Sequence, residues 1–270
     1  MKLLIQSQVY IALIAVAFSV ETELLLYQPL ELHPYHFLVF LATFLVYNIS
    51  RVAIKPMQSP FTVFMVALAL AAIVLVGVGF WARWQVLVML TPLAFLSLLY
   101  AFPVVPFNKR FVTLRSIPYI KIFVITIVWS LATVLLPVVR IQQVIDIHVL
   151  LIFIERMIFV FVLALMFDIC DMETDRLSGL KTIPLLLGKA ASQKLCKGLL
   201  ILFLLITGIH YGQTIPVVLP AMLLSAAGAF FLVDYTGFSS KPVYLAWVDG
   251  MMLLQAVLLF FCLHLSGKMV

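Results

Sequence analysis

Asp168, Asp171 and Asp175 stand at i, i+3 and i+7 in the stretch FDICDMETDRLSGLKTIPLLLG. On a helix of 3.6 residues per turn this spacing puts three carboxylates on one face across two turns, while Glu173 points elsewhere. These are four of the eleven acidic residues of the whole chain, gathered within eight positions. Like charges so close repel one another unless a cation lies among them. Mg2+ suits that role, because it takes oxygen ligands and keeps room for waters and substrate phosphates. Arg176 and Lys181 follow closely and offer charge-assisted hydrogen bonds to phosphate oxygens. The plainer alternative is a solvated acidic helix end.

The elements that must position this face are membrane helices. The chain has 270 residues, 65% of them hydrophobic and 10% charged, and its mean hydropathy is +1.23; soluble domains carry about 25% charged residues. A bilayer core about 30 Å thick takes roughly 20 apolar residues per helix. Nine such runs occur, over residues 9–27, 35–50, 61–81, 84–102, 117–139, 147–169, 193–211, 214–235 and 244–265. The expected fold is therefore all-α, a polytopic transmembrane bundle of about nine helices in a single domain over residues 1–270. The amino-terminal run carries Gln6, Gln8 and Tyr10 and is read as a retained helix rather than a cleaved leader.

Lys and Arg in alternate connections set the orientation. With the amino terminus inside, Lys2, Arg51, Lys55, Lys109, Arg110, Arg115, Arg176, Lys181, Lys189, Lys194, Lys197 and Lys241 face the cytoplasm, twelve against Arg83, Arg140 and Lys268 outside. The acidic stretch then faces the cytoplasm, and the net charge of +6 needs no nucleic acid to explain it. The longest connections, 103–116 and 170–192, lie on the same side, and long loops in compact domains are more often functional than not. No internal repeat argues for a transporter built of halves. Cys170, Cys196 and Cys262 are scattered and suggest neither a disulfide framework nor a zinc site. A cation site at the mouth of an apolar bundle suits a ligand with a phosphate head and a hydrocarbon tail.

The stretch DICDMETDRLSGLKT resembles the second aspartate-rich motif, DxxDxxxDxxxGxxT, of the UbiA-type intramembrane prenyltransferases, with Asp168, Asp171, Asp175, Gly179 and Thr182 all in place. The resemblance implies a nine-helix fold in which Mg2+ held by two aspartate-rich motifs binds the diphosphate of a polyprenyl donor, whose allylic group passes to a lipid-soluble acceptor. The first motif, NDxxDxxxD, falls on YNISRVAIKP, where Asn48 is in place but Ile49, Val52 and Pro56 replace the aspartates. Arg51 and Lys55, at i and i+4, offer two cations to the diphosphate instead. The loop LYAFPVVPFNKRFVTLRSIPYIK looks like the family segment whose Tyr and basic residues hold pyrophosphate, which points to Tyr100, Lys109 and Lys121. Positive-inside anchoring also accounts for Lys109, and Lys121 either faces the cavity or snorkels to the headgroups.

The expected activity is transfer of an isoprenyl group from a polyprenyl diphosphate to a lipophilic acceptor, aromatic or otherwise, in the cytoplasmic membrane. Asp168, Asp171 and Asp175 would be the metal-binding and catalytic residues, and Asn48, Arg51, Lys55, Tyr100, Lys109, Lys121, Arg176 and Lys181 would bind substrate. The alternatives are a catalytically degenerate lipid-binding or scaffold member of the same fold, and an ion-coupled transporter. Glu155 and Arg156 lie near the middle of the sixth run, about 18 Å of helix rise from Asp168, and read as a buried ion-pair network or a polar acceptor pocket. Asp249 either helps an acceptor lose a proton or pairs with Lys241. His33, His36, His148, His210 and His264 show no ligand spacing and read as interfacial.

Overall fold

Apolar segments in lipid must satisfy every backbone polar group internally, and a helix does so within one segment. The computed structural model describes residues 8–31, 33–54, 61–80, 83–107, 110–235 and 241–267, without the side chains of 51–54, 61–68, 241–243 and 245. Its helices are α1 (Val9–Leu25), α2 (Pro34–Ile54), α3 (Phe61–Gly79), α4 (Trp84–Ala101), α5 (Ile120–Ile141), α6 (Ile147–Leu177), α7 (Ile183–Leu187), α8 (Lys189–Tyr211), α9 (Leu219–Asp234) and α10 (Lys241–Leu265). Six helical segments among the described residues are long and apolar enough to cross a membrane: Trp84–Ala101, Ile120–Ile141, Ile147–Leu177, Lys189–Tyr211, Pro216–Asp234 and Ala246–Leu265. Pro34–Ser50 and Ala69–Gly79 are shorter apolar helices.

Each apolar run carries a helix, with three differences in the connections. Helix α6 continues to Leu177, eight residues beyond the apolar run, because polar residues emerging from lipid extend a helix as readily as apolar ones. Helix α8 begins at Lys189 rather than at residue 193. Between α4 and α5 the chain forms a small antiparallel hairpin of β1 (Val105–Phe107) and β2 (Arg110–Val112), with Pro106 opposite Phe111.

The helices close a ring: α1 packs on α2, α2 on α4, α4 on α5, α5 on α6, α6 on α8, α8 on α9, α9 on α10 and α10 back on α1. Helix α3 packs on α2. The interior of the ring holds both the apolar core and the polar groups that matter below.

Helix α5 widens to π geometry over Leu131–Leu135, immediately before Pro137. Proline has no N–H to give to the carbonyl four residues back, which is that of Thr133. Thr22 of α1 supplies the missing donor, its Oγ1 lying 2.7 Å from the Thr133 carbonyl oxygen. Thr22 Oγ1 also accepts from Arg156 Nη2 at 3.3 Å.

Arg156 does not pair with its neighbour Glu155. Its Nη2 reaches Glu21 Oε1 at 3.1 Å, while its guanidinium lies 3.6 Å from the centre of the Phe18 ring. Gln255 Nε2 donates to the same Glu21 oxygen at 2.9 Å, so α1, α6 and α10 meet at one carboxylate. Glu155 turns instead to His210 Nδ1 at 2.7 Å and accepts from the Tyr211 hydroxyl at 3.0 Å. Glu23 takes Arg140 at 2.9 Å and His36 at 3.2 Å. Of the ion-pair network and the acceptor pocket, the geometry is that of the network. His36 and His210 are buried parts of it rather than interfacial residues.

Removing one partner of a buried ion pair leaves the other charge uncompensated. Glu21→Leu is expected to destabilise the protein by about 3–5 kcal/mol, and Thr22→Val by about 1–3 kcal/mol through the orphaned Thr133 carbonyl. Denaturant unfolding in mixed micelles measures both, and equal, near-zero effects would contradict the network.

Candidate functional site

The three carboxylates of α6 fall where its apolar length ends. Asp168 and Asp175 are buried and Asp171 is half-buried. Lys121, in the first turn of α5, places its Nζ 2.6 Å from Asp168 Oδ1 and 3.6 Å from Asp175 Oδ2. One ammonium therefore sits between two carboxylates that would otherwise repel across two helical turns.

Local structure at the end of α6 brings the lysine there. Gly179 has φ +69°, a left-handed conformation that suits glycine. It closes the helix in a Schellman turn, in which the Leu180 N–H donates to the Asp175 carbonyl at 2.9 Å and the Gly179 N–H to that of Arg176 at 3.1 Å. The chain then reverses, and the Lys181 carbonyl accepts from the Tyr119 N–H at 2.9 Å, two residues before Lys121. Thr182, the last motif residue, is buried at the start of α7. The glycine of the motif thus serves the turn that ties α6 to the beginning of α5, while the Thr182 hydroxyl is buried without a hydrogen bond.

A cavity of about 200 Å3 opens beside this cluster, with Lys121, Asp168 and Asp171 at one side and Tyr47, Trp129 and Asp249 among its other walls. A second cavity of about 590 Å3, almost wholly apolar, lies between α2, α3, α4 and α5. Tyr47 and Trp129 line both. Trp129 Nε1 donates to the Tyr47 hydroxyl at 2.8 Å, and the two rings meet edge to face at 6.4 Å. Tyr47 and Trp129 thus belong to the wall that the two cavities share.

Of the residues singled out in the sequence, Asp168, Asp171 and Lys121 share one cavity, and Asp175 joins them through Lys121. Lys121 therefore faces inward rather than snorkelling. Tyr100 is part-buried, 6.0 Å from the Arg115 guanidinium, and close enough to interact electrostatically with Lys121, Asp168 and Asp175. Asn48 is buried on α2, its Nδ2 donating to the Phe44 carbonyl at 2.8 Å, next to the cavity residue Tyr47. Arg176 points out, paired with Glu173 at 2.8 Å, and Lys181 is exposed, so neither lines the cavity. The side chain of Arg51 and the whole of Lys55 and Lys109 lie outside the described residues. Tyr47 and Trp129 were not singled out. The available signal was the i, i+4, i+8 series Lys121, Ile125 and Trp129, all of which line the cavity.

The oxygen-only donors suit a hard divalent cation, and Asp175 Oδ2 is buried without a hydrogen bond in the structure. Yet among the described residues no three His, Cys, Asp or Glu side chains gather closely enough to hold a metal by themselves. The donor set fits Mg2+ as a partial shell that needs further oxygens from a ligand.

The helices thus form a ring around a cavity with carboxylates on one wall, next to a larger apolar chamber. The model of the UbiA prenyltransferase family matches residues 50–242, and the chain belongs to that family. A solved UbiA homolog from Archaeoglobus fulgidus superposes with a TM-score of 0.61 at 11% identity, over 96% of each chain. A structure of digeranylgeranylglyceryl phosphate synthase superposes with a TM-score of 0.55 at 15% identity, over 98% of this chain and 96% of that one. At such identities the likeness concerns the fold. No curated protein matches the sequence.

The shared ammonium makes Lys121 and Asp168 energetically coupled. In a double-mutant cycle of Lys121→Met and Asp168→Asn, the stability losses are expected to be non-additive by roughly 0.5–3 kcal/mol. Additive losses in denaturant unfolding would mean that the two side chains do not act as a unit.

Proposed function

We propose that the protein is a membrane-embedded prenyltransferase that moves an isoprenyl group from a polyprenyl diphosphate to a lipophilic acceptor. The observation that carries this reading is the junction at Tyr47 and Trp129, where a cavity with Lys121 and two carboxylates at its side meets a large apolar chamber. A diphosphate at Lys121 can thus run its hydrocarbon tail into the chamber. The whole chain, residues 1–270, acts as one domain of nine spans with the amino terminus and the acidic end of α6 on the cytoplasmic side.

Lys121 would donate hydrogen bonds to the diphosphate as the C1–O bond breaks and the electron pair leaves with it. Tyr100 and Arg115 lie beside it to support the same charge, and Arg51, Lys55 and Lys109 are proposed as further diphosphate cations. Asp168, Asp171 and Asp175 would hold Mg2+, which when bound neutralises part of the diphosphate charge. Trp129 and Tyr47 would border the space where the allylic cation develops, and apolar walls would exclude water from it. The new bond forms from the acceptor to C1.

Replacement of the first motif's aspartates by Ile49, Val52 and Pro56 favours a second reading, a lipid-binding member of the fold that no longer catalyses. Both readings require the site to bind. In purified protein with Mg2+, Asp168→Asn and Lys121→Met should each weaken binding of geranylgeranyl diphosphate by about ten- to a hundredfold. Unchanged affinity in Asp168→Asn would refute the assigned role of the carboxylates.

A further inference from the structure

Asp249 is the one acidic group in the cavity that the diphosphate chemistry leaves unused. It sits on α10 and lines the cavity with Met252, across from the α5 and α6 residues. Helix α1 holds this part of α10 closely. The Tyr10 hydroxyl donates to the Ala246 carbonyl at 3.1 Å, and it would stand 2.9 Å from a Cβ placed on Gly250.

The other carboxylates inside the ring, those of Glu21, Glu23, Glu155, Asp168, Asp171 and Asp175, all have partners. Among the described residues Asp249 has neither a hydrogen bond nor an ion pair. Lys241 stands eight residues earlier on the same helix, about 12 Å along its axis. The Asp249 carboxyl group is half-buried on a mainly apolar stretch of the cavity wall, and a ligand that brings a donor would supply the partner it lacks.

We propose that Asp249 binds the acceptor, and that the acceptor is an amphiphile presenting a hydroxyl group to it; this rests on the prenyl-transfer reading above. A neutral hydroxyl suits the place better than an ammonium, which would lie near the developing allylic cation and repel it. In the reaction the hydroxyl oxygen forms its bond to C1 as the C1–O bond to diphosphate breaks. The electron pair of that bond leaves with the diphosphate, and the hydroxyl proton passes to the Asp249 carboxylate.

The test uses 11-bromoundecanol and its methyl ether, which differ only in the O–H, in a protein whose Trp81, Trp84 and Trp247 are replaced by Phe, so that the bromine quenches the fluorescence of cavity residue Trp129 alone. This protein should bind the alcohol about tenfold more tightly than the ether, and Asp249→Leu should abolish that preference while leaving ether binding intact. Asp249→Asn, the closest replacement in size, should keep part of the preference through its amide oxygen. With geranylgeranyl diphosphate present it should lose transfer to the alcohol by a hundredfold or more without losing diphosphate binding. Absence of the preference with Asp249 in place, its survival in Asp249→Leu, or full transfer by Asp249→Asn would overturn the proposal. An Asp249-dependent preference without any turnover would support the hydroxyl site and refute the transferase reading instead.

Discussion

A single ammonium between two carboxylates organises the polar end of the ring. Without Lys121, Asp168 and Asp175 would face one another from a helix that is just leaving its apolar surroundings, where like charges are poorly screened. With it, α5 and α6 are held at a fixed spacing, and the cavity between them has walls of defined charge. The Schellman turn at Gly179 and the Lys181 to Tyr119 hydrogen bond serve this contact, since they deliver the start of α5 to the end of α6. A family motif usually described by its aspartates is here equally a device for placing a lysine.

The deeper part of the ring follows the same physical rule with other residues. Ionised groups in an apolar interior are costly unless paired, and Glu21, Glu23, Glu155, Arg140 and Arg156 are all paired. These pairs join α1, α5, α6, α8 and α10, and all of these but α8 also line the cavity beside Lys121. The π-turn of α5 belongs to the same system, because Thr22 satisfies the carbonyl that Pro137 leaves open.

Local pattern was readable in the chain and distant pairing was not. The i, i+3, i+7 carboxylates needed only a helix to be legible, and the apolar runs located the helices themselves. Arg156, by contrast, was visible as costly and in need of a partner, but Glu21 lies 135 positions away in α1. Nothing in spacing selects it over the adjacent Glu155. The direction of Lys121 depended likewise on the packing of α5 against α6, and the burial of His36 and His210 on carboxylates from other helices. The hairpin after α4 was masked by a segment rich in proline and basic residues that reads simply as a long loop. Arg176 and Lys181 show the opposite limit, since proximity in sequence to the carboxylates put neither of them on the cavity wall.

On the proposed reading, one aspartate motif with Lys121 among its carboxylates suffices to activate a prenyl diphosphate although the first motif has no aspartates. The most direct measurement follows pyrophosphate released from geranylgeranyl diphosphate by the purified protein, with and without Mg2+, with a membrane lipid extract supplying acceptors. The account predicts Mg2+-dependent release together with a prenylated lipid in the extract. Tight binding with no release under any of these conditions would contradict it and leave a lipid-binding protein built on an enzyme's fold.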